Sequence, residues 1–316
     1  MSTGTVHNPA PRGKLIAAFA AIYIIWGSTY LAIRFALETL PPFLMAGARF
    51  LTAGAILYGV LIARGAEHPT RRNWRDGFIV GAFLLLGGNG GVVWAEQYVV
   101  SGIAALLVAT MPIWIVVFDW LRGTGPRPAP RTMAGIGMGF LGLIILVGPQ
   151  TLGSGAVPLI PALALVFASI SWAWGSLYSR GAVQPSSPMM ATAVQMAGGG
   201  VLLLLAGLLT GELGELDLAA VSARSLLALL YLLLAGSIVG YSAYIWLLRH
   251  ATPAHVSTYA YVNPVVAVFL GWLLASEPIT PRLLLAAAVI VGGVAVIVTV
   301  RGQRVPGRRP AGEPAE

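Results

Sequence analysis

The chain has no cysteine. That removes disulfide frameworks, thiolate nucleophiles and cysteine-held metals together. Charge is scarce as well: Asp, Glu, Lys and Arg make up 9% of its 316 residues, where soluble domains carry about 25%. A water-facing surface cannot be built from so few charges, so a soluble enzyme is excluded. Its 57% hydrophobic content equally excludes a disordered chain, which needs low hydrophobicity. No Walker A run is present, hence no nucleotide-cradling loop and no ATP engine. His7, His68, His250 and His255 lack metal-ligand spacing, so neither a metal nor another cofactor is expected. A membrane enzyme needs a clustered nucleophile, metal or acid–base pair, and no such cluster reads from the sequence. The expectation is no enzyme and no catalytic residues.

Hydrophobic length is what the chain has. A membrane helix needs about 20 apolar residues, and ten such runs can be read. They cover 15–37, 43–63, 76–98, 101–121, 132–148, 158–180, 188–209, 225–248, 254–274 and 281–300. The breaks between them carry turn chemistry, as at Pro41-Pro42, Pro149, Thr252-Pro253 and Glu277-Pro278. In lipid the backbone must satisfy itself, so these runs are predicted to be helices. The first run follows Arg12 and Lys14, but it is too long for a signal-peptide core and reads as a span.

Charge placement gives orientation. Fifteen of the 19 basic residues fall in the N-terminal tail, the 64–75 and 122–131 loops, at Arg180 and Arg249, and in the C-terminal tail. All lie on one side of a ten-span topology. The positive-inside rule makes that side cytoplasmic, with both termini in it. The net charge of +8 is therefore a topology signal, and no nucleic-acid partner is expected.

The two halves resemble each other. Trp26-Gly27-Ser28-Thr29-Tyr30 returns as Trp174-Gly175-Ser176-Leu177-Tyr178, and Met111-Pro112 answers Asn263-Pro264. Five spans per half is an odd number, so the second half enters the membrane upside down. The expected fold is an all-α polytopic membrane protein, with ten transmembrane helices in two inverted five-helix repeats. Residues 15–148 form the first repeat and 158–300 the second, with cytoplasmic tails at 1–14 and 301–316. Inverted repeats are a device of secondary transporters.

These residues resemble a known family. Ile25-Trp26-Gly27-Ser28-Thr29-Tyr30 with Ala48-Arg49-Phe50, and Gly88-Asn89-Gly90 with Ala95-Glu96, resemble the opening of EamA-type repeats. Tyr259-Ala260-Tyr261-Val262-Asn263-Pro264 and Glu277-Pro278 do the same for the second half. Over about 15–300 the chain resembles the drug/metabolite transporter superfamily, in its branch of ten-span bacterial inner-membrane exporters. The resemblance implies export of amino acids, aromatic ones among them, or of toxic organic cations. Other branches carry nucleotide sugars or sugar phosphates. One departure is Gly125-Pro126 in the first half against Glu277-Pro278 in the second.

Span midpoints locate candidate site residues. Gly88 and Gly90 flank Asn89 at the centre of span three, and Gly236 and Gly240 lie at the centre of span eight. Glycine weakens a helix interior by about 1 kcal/mol relative to alanine, and proline removes a helix hydrogen bond. Gly88, Gly90, Pro112, Gly236, Gly240 and Pro264 are therefore expected hinges. Close helix packing is the alternative for the glycines. Charged residues within spans are costly and functionally suspect. Arg49, opposite Gln195 in the repeat, and Glu96, near an outer mouth, stand as substrate-binding candidates; Arg34 and Asp119 read as span-end charges. Trp26, Tyr30, Asn89, Met111, Trp174, Tyr259 and Asn263 complete the expected substrate-binding set. Aromatic faces suit amino acids, or flat cations through cation–π attraction. No carboxylate reads near a midpoint, so proton coupling would use Glu96 or Asp119, and facilitated export fits equally. The expected partners are a small-molecule substrate and lipid, with the chain a monomer or weak homodimer. Gly135, Gly139, Gly292 and Gly293 could join either two halves or two protomers.

Overall fold

A computed structural model describes residues 11–123, 127–147, 157–251, 253–256 and 258–303. Among them every regular element is helical. Ten long helices follow in order: α1 (Arg12–Ala36), α2 (Pro42–Ala63), α3 (Arg71–Ala95), α4 (Ser101–Leu121), α5 (Pro130–Val147), α6 (Leu159–Ser179), α7 (Pro188–Leu209), α8 (Ala223–Leu247), α9 (Tyr259–Ala275) and α10 (Pro281–Gln303). Nine are long and apolar enough to cross a membrane; α9, with 17 residues, is shorter. The ninth span is therefore divided. A single turn, Pro253–Val256, precedes α9. At 1.5 Å per residue α9 alone covers about 26 Å, short of a hydrocarbon core of about 30 Å. Gly125-Pro126 lies outside the described residues.

Local chemistry sets the helix ends. Pro42 and Pro188 occupy first-turn positions of α2 and α7, where a missing N–H costs nothing. Thr70 opens α3 with a capping box: Asn73 N–H donates to Thr70 Oγ1 at 3.2 Å and Thr70 N–H to Asn73 Oδ1 at 2.9 Å. Past α7 the chain reverses at Gly211, whose φ of +85° suits glycine.

The halves interlock. The helix α2 packs along α7 and α5 along α10, each pair joining one repeat to the other. Likewise α1 lies against α8 and α9, while α6 lies against α3 and α4. Exchanging the repeats maps each pairing onto another, as an inverted two-fold arrangement requires. Small residues permit the approach: a Cβ on Gly54 would sit 2.6 Å from Ala197 N, and one on Gly135 would sit 2.8 Å from Gly293 O. Gly135 and Gly293 thus join the two halves of one chain. Loop clasps repeat the symmetry. Asp76 and Asn73 at the start of α3 bond the Val183 amide (2.7 Å) and carbonyl (2.9 Å). At the start of α8, Ser225 Oγ donates to the Phe35 carbonyl at 2.8 Å.

Two interruptions matter most. Ala82–Gly90 within α3 and Leu232–Val239 within α8 are π-helical. They stand about 150 residues apart, at equivalent places in the two repeats. Single π-turns recur at functional sites; these are longer. Both sit on the glycine-rich midpoints read from the sequence.

Candidate functional site

A π-helix shifts its hydrogen bonding to i→i+5 and leaves carbonyls to find other donors. In α3 the Phe83 carbonyl accepts from Ser171 Oγ of α6 at 2.7 Å. In α8 the Gly236 carbonyl accepts from Trp26 Nε1 of α1 at 3.1 Å. Each π-segment is thus tied to the first helix of the opposite repeat, by a small hydroxyl in one half and by an indole in the other.

The indole is the hub of a ring cluster. Trp26 meets Tyr241, Tyr244 and Tyr259 at centroid separations of 5.4, 5.3 and 5.2 Å. Tyr244 and Tyr259 meet edge-on at 6.0 Å. These spacings lie in the favourable aromatic range. Gly240 makes room for the ring, since a Cβ there would lie 2.4 Å from Trp26 Nε1.

Arg49 approaches the same π-segment from α2. It is 5% exposed, and its Nε donates to Ser237 Oγ at 2.9 Å. Its guanidinium lies 4.5 Å over the Phe50 ring. A Cβ on Gly236 would come within 3.1 Å of Nη2, so this glycine admits the guanidinium. Among the described residues no carboxylate pairs with Arg49. A buried charge without a partner is costly; a site for an anionic ligand group uses that cost. Beside Tyr241, Leu84 and Leu85 of α3 and Thr192, Gln195 and Met196 of α7 border a void of about 10 Å³. That holds about one water, so a metabolite needs the helices to part there.

The other sequence candidates are distributed around this centre. Tyr30 lies one turn along α1 from Trp26, half-buried, with Glu96 in electrostatic range. Asn89 is half-buried in the α3 π-segment, and Gly88 and Gly90 are buried in it. Met111 and Pro112 start a new helical stretch after α4 breaks at Ala109–Thr110. Asn263 is buried on α9 with Oδ1 lacking a hydrogen-bond partner. Its carbonyl would lie 3.2 Å from a Cβ on Gly27. Pro264 sits inside a continuous α9. Trp174 is 37% exposed. It packs on Phe118 (5.4 Å) and under Arg122 (5.4 Å), away from its repeat mate Trp26. Asp119 pairs with Arg180 at 3.4 Å.

Glu96 belongs to a second cluster at the end of α3. It is 5% exposed and neither carboxylate oxygen has a hydrogen-bond partner. Nearby, Arg34 pairs with Glu277. The Glu277 carboxylate also accepts the amides of Ser101 (2.9 Å) and Gly102 (3.2 Å) at the start of α4. Glu212 serves α2 alike, accepting the Phe43 (3.1 Å) and Leu44 (2.8 Å) amides. Anions at helix N-termini are favoured by orphan amides and by the helix dipole.

Sequence reading missed Ser237, Tyr241 and Tyr244. Their signal was the run Gly236-Ser237 to Gly240-Tyr241-Ser242-Ala243-Tyr244, of which only the glycines have counterparts in span three. It also took Glu277 for a loop feature, because a contact across 176 positions leaves no local pattern.

Comparison with known proteins accords with the geometry. The EamA-like transporter family matches residues 13–148 and again 159–299. The uncharacterized inner membrane transporter YedA of Escherichia coli strain K12 is 42% identical over 288 residues, covering 90% of each chain. The uncharacterized transporter YoaV of Bacillus subtilis strain 168 is 24% identical, covering 89% of this chain and 95% of its own. A solved crystal structure superposes with a TM-score of 0.60 at 23% identity, spanning 92% of this chain and 99% of the other; it supports the fold. With both halves matched, this chain belongs to the EamA-like transporter family, a family of transporters and not of enzymes.

Proposed function

We propose that this protein exports small organic metabolites, amino acids first among them, across a bacterial inner membrane by alternating access. Both termini then lie in the cytoplasm, with fifteen of 19 basic residues on that side. One observation carries the substrate class: Arg49 is buried at the α8 π-segment with a serine hydroxyl but no carboxylate. A guanidinium in that setting suits a carboxylate ligand, which it can hold by charge-assisted hydrogen bonds. The ring cluster of Trp26, Tyr241, Tyr244 and Tyr259, with Asn263 one turn along α9 from Tyr259, suits the ligand's apolar part. Tyr30, Asn89 and Met111 would line the path, and Glu96 would serve its outer end. The glycines of both π-segments, with Pro112 and Pro264, would supply the bending that exposes the centre to one side and then the other. The inner-membrane assignment is supported by the name of the 42% identical relative.

Counterflow in proteoliposomes tests this reading. Vesicles preloaded with an unlabelled amino acid should take up the same labelled amino acid saturably, and protein-free vesicles should not. Absence of counterflow across the twenty amino acids would reject the substrate class. The ring cluster also favours a second reading, export of flat organic cations. That reading predicts counterflow of a quaternary ammonium dye unaffected by Arg49→Gln.

A further inference from the structure

The cluster at the end of α3 holds two carboxyl groups facing one guanidinium. Glu277 has the guanidinium of Arg34 and two backbone amides. Glu96 has neither, and it is as buried as Arg49. The titratable groups facing Glu96 are Arg34 and Tyr30 from α1 and Glu277 from the α9–α10 connection. The neighbouring α4 and α6 contribute none at this end, because Asp119 and Tyr178 lie in their far turns. On α2, Arg49 is held by Ser237. An ionised carboxylate stripped of water and partners is strongly disfavoured. In this arrangement a proton on Glu96 removes that cost.

We propose that Glu96 is a coupling-proton site and that Arg34 is its switch arm. Loss of the proton breaks one O–H bond, sends the proton to water at the adjacent helix ends, and leaves a bare carboxylate. That carboxylate draws Arg34 away from Glu277. Glu277 stays ionised on the Ser101 and Gly102 amides, so charge balances without any redox step. The end of α1 then moves toward α3 and away from α4 and α9. Protonation at one end of the bundle thereby controls how α1, which carries Trp26, leans on the other repeat. The link to solute flux rests on the export reading above; the proton site itself does not.

The experiment separates the two. The natural chain has no cysteine, so spin labels on Glu38→Cys and Tyr98→Cys report only the ends of α1 and α3. Purified protein in lipid should show the infrared C=O band of a protonated carboxyl at neutral pH, titrating away in alkali. Glu96→Gln should lose the band, and Glu38→Gln should keep it. The label distance should shorten as the band disappears, stay fixed in Glu96→Gln, and shorten again in Glu96→Asp. In proteoliposomes, a gradient of one pH unit should drive up to about tenfold accumulation for one proton per solute, falling to unity in Glu96→Gln. A band absent from the wild type, or a distance change persisting in Glu96→Gln, overturns the proton site. A titrating band and shift in a protein that moves no solute would uphold the site and refute export.

Discussion

The two π-helical segments occupy equivalent stations, yet they are packed in opposite ways. At the α3 segment small groups make the tightest contacts, although Trp172, Leu203 and Phe43 also reach its glycines. A Cβ on Gly87 would sit 2.2 Å from Ser171 Oγ, and one on Gly91 would sit 3.0 Å from the Ala168 Cβ. The α8 segment is filled by large ones: the Trp26 ring with its three tyrosines, and the Arg49 guanidinium. The divergence reaches the flanking helices. Arg49 on α2 is answered by Gln195 on α7, whose Nε2 donates to Gln184 Oε1 at 3.2 Å. Trp26 is answered by Trp174, half-exposed against Phe118. On the export reading, the repeat supplies two hinges and the ligand-binding chemistry is concentrated on one. The other is packed close to backbone, and on that reading it is the stiffer joint.

Breaking the asymmetry should reveal it. Arg49→Gln makes α2 match α7. It should lower transport of a carboxylate substrate by about 30-fold or more, since a buried charge partner is worth 2–5 kcal/mol. Gln195→Ala should stay within about threefold; initial rates normalised to membrane-inserted protein check both. Gly240→Val drives a side chain into Trp26 and should cut flux at least about tenfold, equivalent to ~1.4 kcal/mol. Gly88→Ala in the other segment comes no closer than 3.3 Å, to Trp172 Cε3, and its rate should fall by no more than about twofold. Trp26→Ala and Asn263→Ala should each weaken half-saturation by about fivefold with insertion intact, while Trp174→Ala leaves it unchanged. Unequal effects of the two tryptophans would sharpen the comparison; equal effects would break it. The smallest change concerns stability. Glu212→Gln weakens the anionic cap on α2 and should cost about 1 kcal/mol, read from thermal unfolding in detergent. Glu277→Gln should cost more, because Arg34 also loses its partner.

Much of this was legible beforehand because bilayer thickness and helix rise leave few choices. The spans, the repeat and the glycine midpoints follow from run length and local residue type. The ninth span was not fully legible: the run 254–274 is long enough to span, and the polar His255, Ser257 and Thr258 near its start did not by themselves mark a break that the fold shows. The glycines marked weak points, but π-helix and α-helix differ in hydrogen-bond register, which composition does not encode. Arg49 and Trp26 were visible as a charge and a ring within spans. Their partners on α8 were not, since Ser237 and Tyr241 lie about 190 to 215 positions away and have no repeat mates. Trp174 stood as an in-span aromatic and as the repeat mate of Trp26; the structure packs it on Phe118, apart from Trp26.

The central claim is that the α8 centre reads a carboxylate through Arg49. The most direct test compares counterflow of an aromatic amino acid with that of its uncharged amide, in wild type and in Arg49→Gln. The account predicts that wild type prefers the acid by about tenfold or more and that Arg49→Gln moves both equally slowly. Equal transport of acid and amide by the wild-type protein would contradict it.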